Sequence, residues 1–288
     1  MEDSLRPRKS LGQNFLIDDN IARKIVRMAD IHPGDVVLEI GPGRGAITKH
    51  LVKQAKHVIA VEVDKRAALL LEKMFERDCE THRLLIERGD ILEVDLLKIS
   101  RKFRDNLRVI GNIPYYITSP ILFKVIEQRE VVRDLTMLVQ LEVGKRIVAK
   151  PNTKDYGILS VFCQFYATPK LFFKIPPTAF FPEPNVVSVL LRLDFTRRPA
   201  YELVDENIFT TVVRSTFGKR RKTLRNGLRY SHLDGLDVAK LKFNLNLRPE
   251  QLSVRDFVEL SNEISLVLNQ SSVQRISKSA WRTFDEAE

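Results

Sequence analysis

Hydrophobic positions in the first half of the chain follow two alternating rhythms. Short β-branched runs, Val36-Val37-Leu38-Glu39-Ile40 and Val58-Ile59-Ala60-Val61-Glu62, read as buried strands. After each, apolar residues recur at helical spacing: Ala46, Ile47, Leu51 and Val52, then Ala67, Leu70, Leu71 and Met74. Leu84 to Ile86, Leu107 to Ile110 and Leu135 to Val139 are further strand candidates, and a helix is expected to open at Ser119-Pro120, a capping residue followed by proline in the first turn. An earlier helix, capped by Asp18 or Asp19, turns Ile21, Ile25 and Val26 inward. Such alternation predicts an α/β fold with a parallel sheet covered on both faces.

From Leu159 the pattern changes. Strand-like runs at 159–167, 170–175 and 186–195, divided by proline-rich turns, predict antiparallel additions to the same sheet. After Arg197-Arg198-Pro199 the reading becomes helical over 205–217, 219–229, 236–242 and 253–268. The expected organisation is therefore a domain over 1–200, a small helical domain over 201–268 and a loose polar tail over 269–288.

Composition narrows the class. With 288 residues, 44% hydrophobic and 29% charged, the chain is long enough for a full core and unlike a disordered one. Cys79 and Cys163 cannot form a disulfide framework and point to a reducing, cytoplasmic setting, Cys163 as a small core residue. Met1 to Lys9 carries Glu2 and Asp3 and lacks the apolar core of a signal peptide, and no uncharged apolar run reaches the length of a membrane span. The five histidines, at 32, 50, 57, 82 and 232, show no metal spacing, so no metal is expected. The net charge of +10 suggests a polyanionic partner, and its placement sharpens that: residues 197–230 hold nine Lys/Arg against three acids.

Candidate chemistry lies where strands end. Gly41-Pro42-Gly43-Arg44-Gly45 follows the first strand, where glycines allow a sharp turn and close approach to a ligand. Gly41, Gly43 and Ala46 also fit the G-x-G-x-x-A form of a dinucleotide fingerprint. Glu62 ends the second strand, placed to accept from both hydroxyls of a ribose, and Asp90, after Gly89, could accept from an adenine amino group. Together these indicate an adenosine-bearing cofactor without choosing between a nicotinamide and S-adenosylmethionine.

Gly111-Asn112-Ile113-Pro114-Tyr115-Tyr116 makes that choice. A dehydrogenase needs a proton donor at a carbonyl; this segment offers a side-chain amide, a carbonyl before a stiff turn and an aromatic face. That set suits an exocyclic amino group on a flat base. The adenine nitrogen is a poor nucleophile because its lone pair is delocalised into the ring. Acceptors at the Asn112 amide oxygen and the Pro114 carbonyl would favour a more tetrahedral nitrogen, while Tyr115 stacks on the base and fixes an in-line approach.

Taken in order, Gly12-Gln13-Asn14-Phe15-Leu16, Glu39–Gly45, Val61–Asp64, Gly89-Asp90, Asn112–Tyr115, Phe180-Phe181-Pro182-Glu183-Pro184 and Phe217–Asn226 resemble the KsgA-type family of small-subunit ribosomal RNA adenine dimethyltransferases over most of residues 8 to 268. The resemblance implies a class I methyltransferase fold, Rossmann-like, with a mostly parallel seven-stranded sheet and a small C-terminal all-helical domain. It implies cofactor contacts at Asn14, Leu16, Gly41, Gly43, Glu62, Asp90 and Asn112, and Phe180 as a second aromatic on the target base opposite Tyr115. The implied reaction places two methyl groups on each of two adjacent adenosines in a hairpin loop near the 3′ end of 16S rRNA, in an immature small subunit, converting S-adenosylmethionine to S-adenosylhomocysteine. No DNA partner is expected.

The opening segment Gly12–Leu16 could close over the cofactor. A helix over 219–229 would present Lys219, Lys222, Arg225 and Arg229 opposite Leu224 and Leu228; with Arg220 and Arg221 it forms a basic face for phosphates, contacts that position rather than specify. Two other readings stay open. One is the related large-subunit methyltransferase that confers antibiotic resistance, which Phe217–Asn226 and Leu247–Leu252 resemble less well. The other is a ribosome assembly checkpoint factor in which binding matters more than catalysis.

Overall fold

The two rhythms fold, in chain order, as β1 (Phe15–Leu16), α1 (Asp19–Ala29), β2 (Val36–Ile40), α2 (Thr48–Leu51), β3 (His57–Glu62), α3 (Lys65–Met74), α4 (Glu76–Glu80), β4 (Leu84–Arg88), α5 (Leu96–Phe103), β5 (Leu107–Gly111), α6 (Thr118–Glu127), β6 (Val132–Gln140) and α7 (Leu141–Ile147). There follow α8 (Ile158–Tyr166), β7 (Thr168–Ile175), β8 (Phe180–Phe181), β9 (Ser188–Asp194), α9 (Glu206–Gly218), α10 (Leu224–Leu228) and α11 (Val254–Arg282). The structure, a computed structural model, describes residues 5–8, 11–197, 201–229, 231 and 233–282, with side chains in the last helix to Asn269. It divides into two compact units, residues 1–148 with 166–198, and residues 149–165 with 199–288.

The first unit is built on a sheet that, among the described residues, has seven strands in the order β4-β3-β2-β5-β6-β9-β7. The pairs from β4 to β6 are parallel, whereas β9 and β7 join antiparallel at one edge. Every residue of β2 is buried, which is why its sequence carries almost no polar alternation. Asp18, Asp64 and Asp95 accept bonds from first-turn N–H groups of α1, α3 and α5 and so fix where those helices begin. Ala22, Ile25, Val26 and Ala29, spaced along one face of α1, bury that face.

From β2 the chain steps outward through β3 to β4, then returns to the other flank of β2 as β5. Loops leaving β2 and β5 therefore diverge and open a crevice at the carboxyl ends of the strands. Register places its two sides in contact: Ile40 pairs with Gly111, so Gly41 and Asn112 leave the sheet side by side. At the opposite, amino ends of the strands, Arg108 is buried, 1% exposed. Its guanidinium meets Asp35 at 2.7 Å and Asp134 at 2.9 Å, and donates to the carbonyls of Ala29 and Asp30. Arg192 reaches the same Asp134 at 2.8 Å.

In the second unit α9 packs against α10 and α11, burying Phe209, Val212, Val213, Phe257, Leu260 and Ile264. Phe209 lies 4.8 Å from Phe165 and 5.7 Å from Phe162, centroid to centroid, which makes α8 part of this core. That corrects the strand expected at 159–167, and Cys163 is buried in a helix rather than in a strand. An apolar run buried on nearly all sides carries no period, and only its nine-residue length separates helix from strand. A single boundary near 200 also does not describe how residues 149–165 group with the C-terminal residues.

Four further expectations are revised. No continuous helix spans 219–229: residues 219–222 form turns, closed by Lys222 N–H donating to the Lys219 carbonyl at 2.7 Å, and α10 begins only at Leu224. The N–H groups of Leu224 and Arg225 bond instead to the carbonyls of Leu247 and Leu245, and Gly227 lies so close to α9 that a Cβ there would meet Thr216 Cα at 2.8 Å. At 236–242 there is one 3-10 turn, Val238–Lys240. The helix expected to open with Ser119 as cap and Pro120 in its first turn starts two residues earlier, at Thr118, with no side-chain cap. Past Asn269, α11 continues to Arg282, where a loose tail is expected; 283–288 lie outside the described residues. No helix among the described residues is long and apolar enough to cross a membrane.

Candidate active site

Residues from five separate segments enclose a cavity of about 290 Å³ at the carboxyl ends of β2, β3, β4 and β5. Asn14, Leu16, Gly41, Gly43, Glu62, Asp90, Asn112, Pro114 and Tyr115 all line it. The glycine loop is shaped by necessity. Gly43 has φ +57°, and a Cβ on it would lie 2.8 Å from the Phe15 ring; Gly45 has φ +77°, and a Cβ would lie 2.9 Å from the Phe75 ring. Any side chain at either position would be strained in backbone and in packing. The helix behind the loop is short: turns run through Ile47, and α2 holds four residues.

Glu62 is fixed through both oxygens. Oε2 accepts from Gly43 N–H at 3.0 Å and Oε1 from Asp64 N–H at 2.9 Å. One bond per oxygen leaves acceptor capacity on each. Burial pushes this carboxyl above its ordinary range despite those bonds. Glu39, on β2, is 1% exposed, and its Oε2 has no hydrogen-bond partner among the described residues. Burial, reinforced by the nearby charge of Glu62, raises its carboxyl to about 8. Sequence reasoning gave Glu39 no role of its own. The signal was present: a lone acid inside an otherwise apolar strand is costly to bury.

Asn112 follows β5 and donates its Nδ2 to the Asn14 carbonyl at 3.1 Å. A carbonyl can only accept, so the bond fixes which end of the amide is turned away: Oδ1, which has no partner among the described residues. The Pro114 carbonyl accepts from Ile117 N–H at 3.2 Å, closing a 3-10 turn over Tyr115–Ile117 and leaving a second lone pair. Tyr115 hydroxyl lies 2.6 Å from Ser188 Oγ, which holds the half-buried ring in place. Burial raises the phenol further, so Tyr115 is neutral at physiological pH and offers a ring face rather than a base. Asp90 is exposed, one oxygen accepting from Leu92 N–H at 2.9 Å.

Phe180 is corrected. Its ring is 1% exposed and packs in the buried cluster with Leu16, Ile175 and Leu190. The cause is strand alternation: β8 pairs with β1, Leu16 opposite Phe180 and Phe15 opposite Phe181, and successive side chains point to opposite faces. Phe181 is the ring turned outward, 51% exposed. In the second unit, Lys219, Arg221, Lys222 and Arg225 are exposed, whereas half-buried Arg220 donates to the Thr153 carbonyl at 3.1 Å. These cations project from turns and a short helix, not from one helical face. Among the described residues no group of three or more His, Cys, Asp or Glu is placed to hold a metal ion.

Comparison with known proteins gives this geometry a context. The chain is 41% identical over 272 residues to the ribosomal RNA small subunit methyltransferase A of Caldanaerobacter subterraneus subsp. tengcongensis, covering 92% of this chain and all of that one. It is 41% identical over 266 residues to the protein of the same name from Francisella tularensis subsp. novicida, with the same coverage. In fold it is similar to a dimethyladenosine transferase from Plasmodium falciparum, with a TM-score of 0.71 at 24% identity, covering 90% of this chain and 98% of that one. It is also similar in fold to the 23S rRNA methyltransferase ErmE, with a TM-score of 0.64 at 23% identity, covering 88% and 100%. The family described as ribosomal RNA adenine dimethylase matches residues 4–266. A sheet whose glycine loop and Asn-Ile-Pro-Tyr turn share one cavity, and a match that runs through nearly all of it, place the chain in the ribosomal RNA adenine dimethylase family.

Proposed function

We propose that this protein dimethylates the N6 amino groups of two adjacent adenosines in a hairpin loop near the 3′ end of 16S rRNA, acting in the cytoplasm on an immature small subunit. The observation that carries the reading is the bond from Asn112 to the Asn14 carbonyl, which leaves the amide oxygen unpaired on a residue that lines the same cavity as the glycine loop and Glu62.

The cavity fits S-adenosylmethionine on its own terms. Gly41 lines it with no side chain, and a Cβ there would meet nothing nearer than the Asn112 carbonyl at 3.7 Å; Glu62 keeps acceptor capacity for two ribose hydroxyls, and Glu39 holds a buried oxygen without a partner. Asn14, Leu16, Gly41 and Asp90 complete the seat. When bound, S-adenosylmethionine supplies an electrophilic methyl group on a sulfonium. The chain's own part is orientation. In the first transfer Asn112 Oδ1 and the Pro114 carbonyl accept the two N–H bonds of the target amine, and in the second one of them accepts the N–H that remains, holding the lone pair out of the ring plane. Tyr115 stacks on the base, and a base on an aromatic ring is worth ~1–3 kcal/mol, enough to help hold it out of its own stack. The proton leaves to water after transfer, so no general base is needed. Lys219, Arg220, Arg221, Lys222 and Arg225 meet RNA phosphates.

The test uses labelled S-adenosylmethionine with immature small subunits, mature small subunits and large subunits in separate reactions, followed by mapping of modified bases. Two methyl groups on each of two adjacent small-subunit adenosines, best on immature particles, is the expected result. Label confined to large subunits would overturn the proposal. The names of the curated relatives favour the small-subunit reading.

A further inference from the structure

The loop that follows β8 is open and apolar. Phe181 is exposed, and so are Pro182, Val186 and Val187 after it. Both ends of this loop are fastened beside the cavity. Phe181 pairs with Phe15 across β1 and β8, and Ser188 meets the hydroxyl of Tyr115; Phe15 and Tyr115 both line the cavity. The exposed ring therefore stands at the rim of the active site, where apolar surface left open to water marks a contact.

Beside it is a cation. The Arg44 guanidinium, from the glycine loop, lies 5.8 Å from the Phe181 centroid and 5.0 Å from that of Phe15. One of its nitrogens donates to the Leu5 carbonyl at 2.8 Å, which steadies the group and leaves donors unused. An open aromatic face next to a held guanidinium is the pairing that single-stranded nucleic acid requires: a flat surface for a base and a charge for its phosphate.

Resting on the function proposed above, we propose that Phe181 and Arg44 form a seat for the nucleotide next to the target adenosine. Its base stacks on Phe181 and its phosphate meets Arg44. Lifting one base into the cavity strips its neighbour of a stacking partner, and Phe181 replaces that partner. With two adjacent adenosines as targets, one of them occupies the seat while the other is methylated. Phe181 is a positioning residue in this scheme, not a catalytic one.

Phe181→Leu keeps an apolar side chain and removes the ring face, whereas Phe181→Trp keeps a face. Steady-state kinetics with immature small subunits should show KM for the subunit rising about tenfold in Phe181→Leu, with kcat and the Kd for S-adenosylmethionine within about twofold of the parent. Phe181→Trp should restore KM. Arg44→Gln should raise KM and flatten its dependence on salt. Phe181→Ala, compared by circular dichroism and read the same way, covers a fold defect specific to leucine. A parental KM in Phe181→Leu and Phe181→Ala, or a cofactor Kd that rises in step with KM, overturns the seat. If the unmodified enzyme methylates small-subunit rRNA and those variants match it, only the seat falls. If the unmodified enzyme leaves that rRNA unmethylated, the function proposed above falls with it.

Discussion

Buried charge sits at both ends of the central sheet, on opposite terms. At the amino ends Arg108 is surrounded by two carboxylates and two backbone carbonyls, and Asp134 takes a second cation from Arg192. At the carboxyl ends burial raises both Glu39 and Glu62, the charge of Glu62 adds to the burden on Glu39, no cation is paired with either among the described residues, and one Glu39 oxygen has no partner. A cluster whose carboxylates all face cations holds strands in register. An unsatisfied one stores a demand for a ligand, since buried polar groups in a folded protein are otherwise paired. Scaffold and site therefore differ less in residue type than in whether their buried carboxyls are paired with a cation.

Breaking the cation-paired end should give the largest effect. Arg108→Met leaves Asp35 and Asp134 without their cation and is expected to cost about 3–5 kcal/mol of stability. Chemical denaturation measures it, and a loss below about 1 kcal/mol would remove the contrast between the two ends. At the other end, Asn112→Ala should leave the melting temperature in place while turnover drops by about 10²–10³-fold, by analogy with removal of one preorganised hydrogen-bonding group. Cofactor affinity should change by less than about tenfold. Undiminished turnover in single-turnover assays would reject the role of the amide.

The contrast also sets a direction with pH. Glu39 sits at about 8 when folded, above its value of about 4.3 in an unfolded chain. Between those values the folded state holds a proton that the unfolded state has released, so this contribution is complete at low pH and is lost as pH rises through 8. Glu39→Gln removes the dependence. Its stability relative to the parent should improve between pH 6 and 8, by on the order of 2 kcal/mol. A difference that stays constant across that range would mean the carboxyl is not buried as a neutral acid. The smallest expected effect belongs to the second unit, where Lys222→Ala and Arg225→Ala should each lower the salt slope of rRNA binding by roughly 0.7–0.9. An unchanged slope would remove those two residues from the phosphate contacts.

What could be read from the chain alone divides along physical lines. The strands, their order of appearance and the turns that line the cavity were legible because β2 to β5 are local patterns followed by or ending in Gly41, Glu62, Asp90 and Asn112, each at a strand's carboxyl end. Failures arose where distant residues decide. Nothing local in Ile158–Tyr166 shows that Phe209 will pack against it and favour a helix. The turns at 219–222 depend on carbonyls from Leu245 and Leu247 that capture the next N–H groups. Which of Phe180 and Phe181 faces out depends on the pairing with Phe15 and Leu16, far away in sequence. Glu39 was the reverse case, a local anomaly plain in the strand but informative only once its unpaired oxygen is seen.

The short ladder joining Phe15–Leu16 to Phe180–Phe181 also sets a timetable for biosynthesis. While the nascent chain is still being made, the segment whose Asn14 carbonyl orients Asn112 waits without its partner strand. That strand exists only after Phe181 has cleared the exit tunnel, when β2 to β6 are already outside. Translation halted before that point would release a domain with its parallel strands and an unfinished cavity.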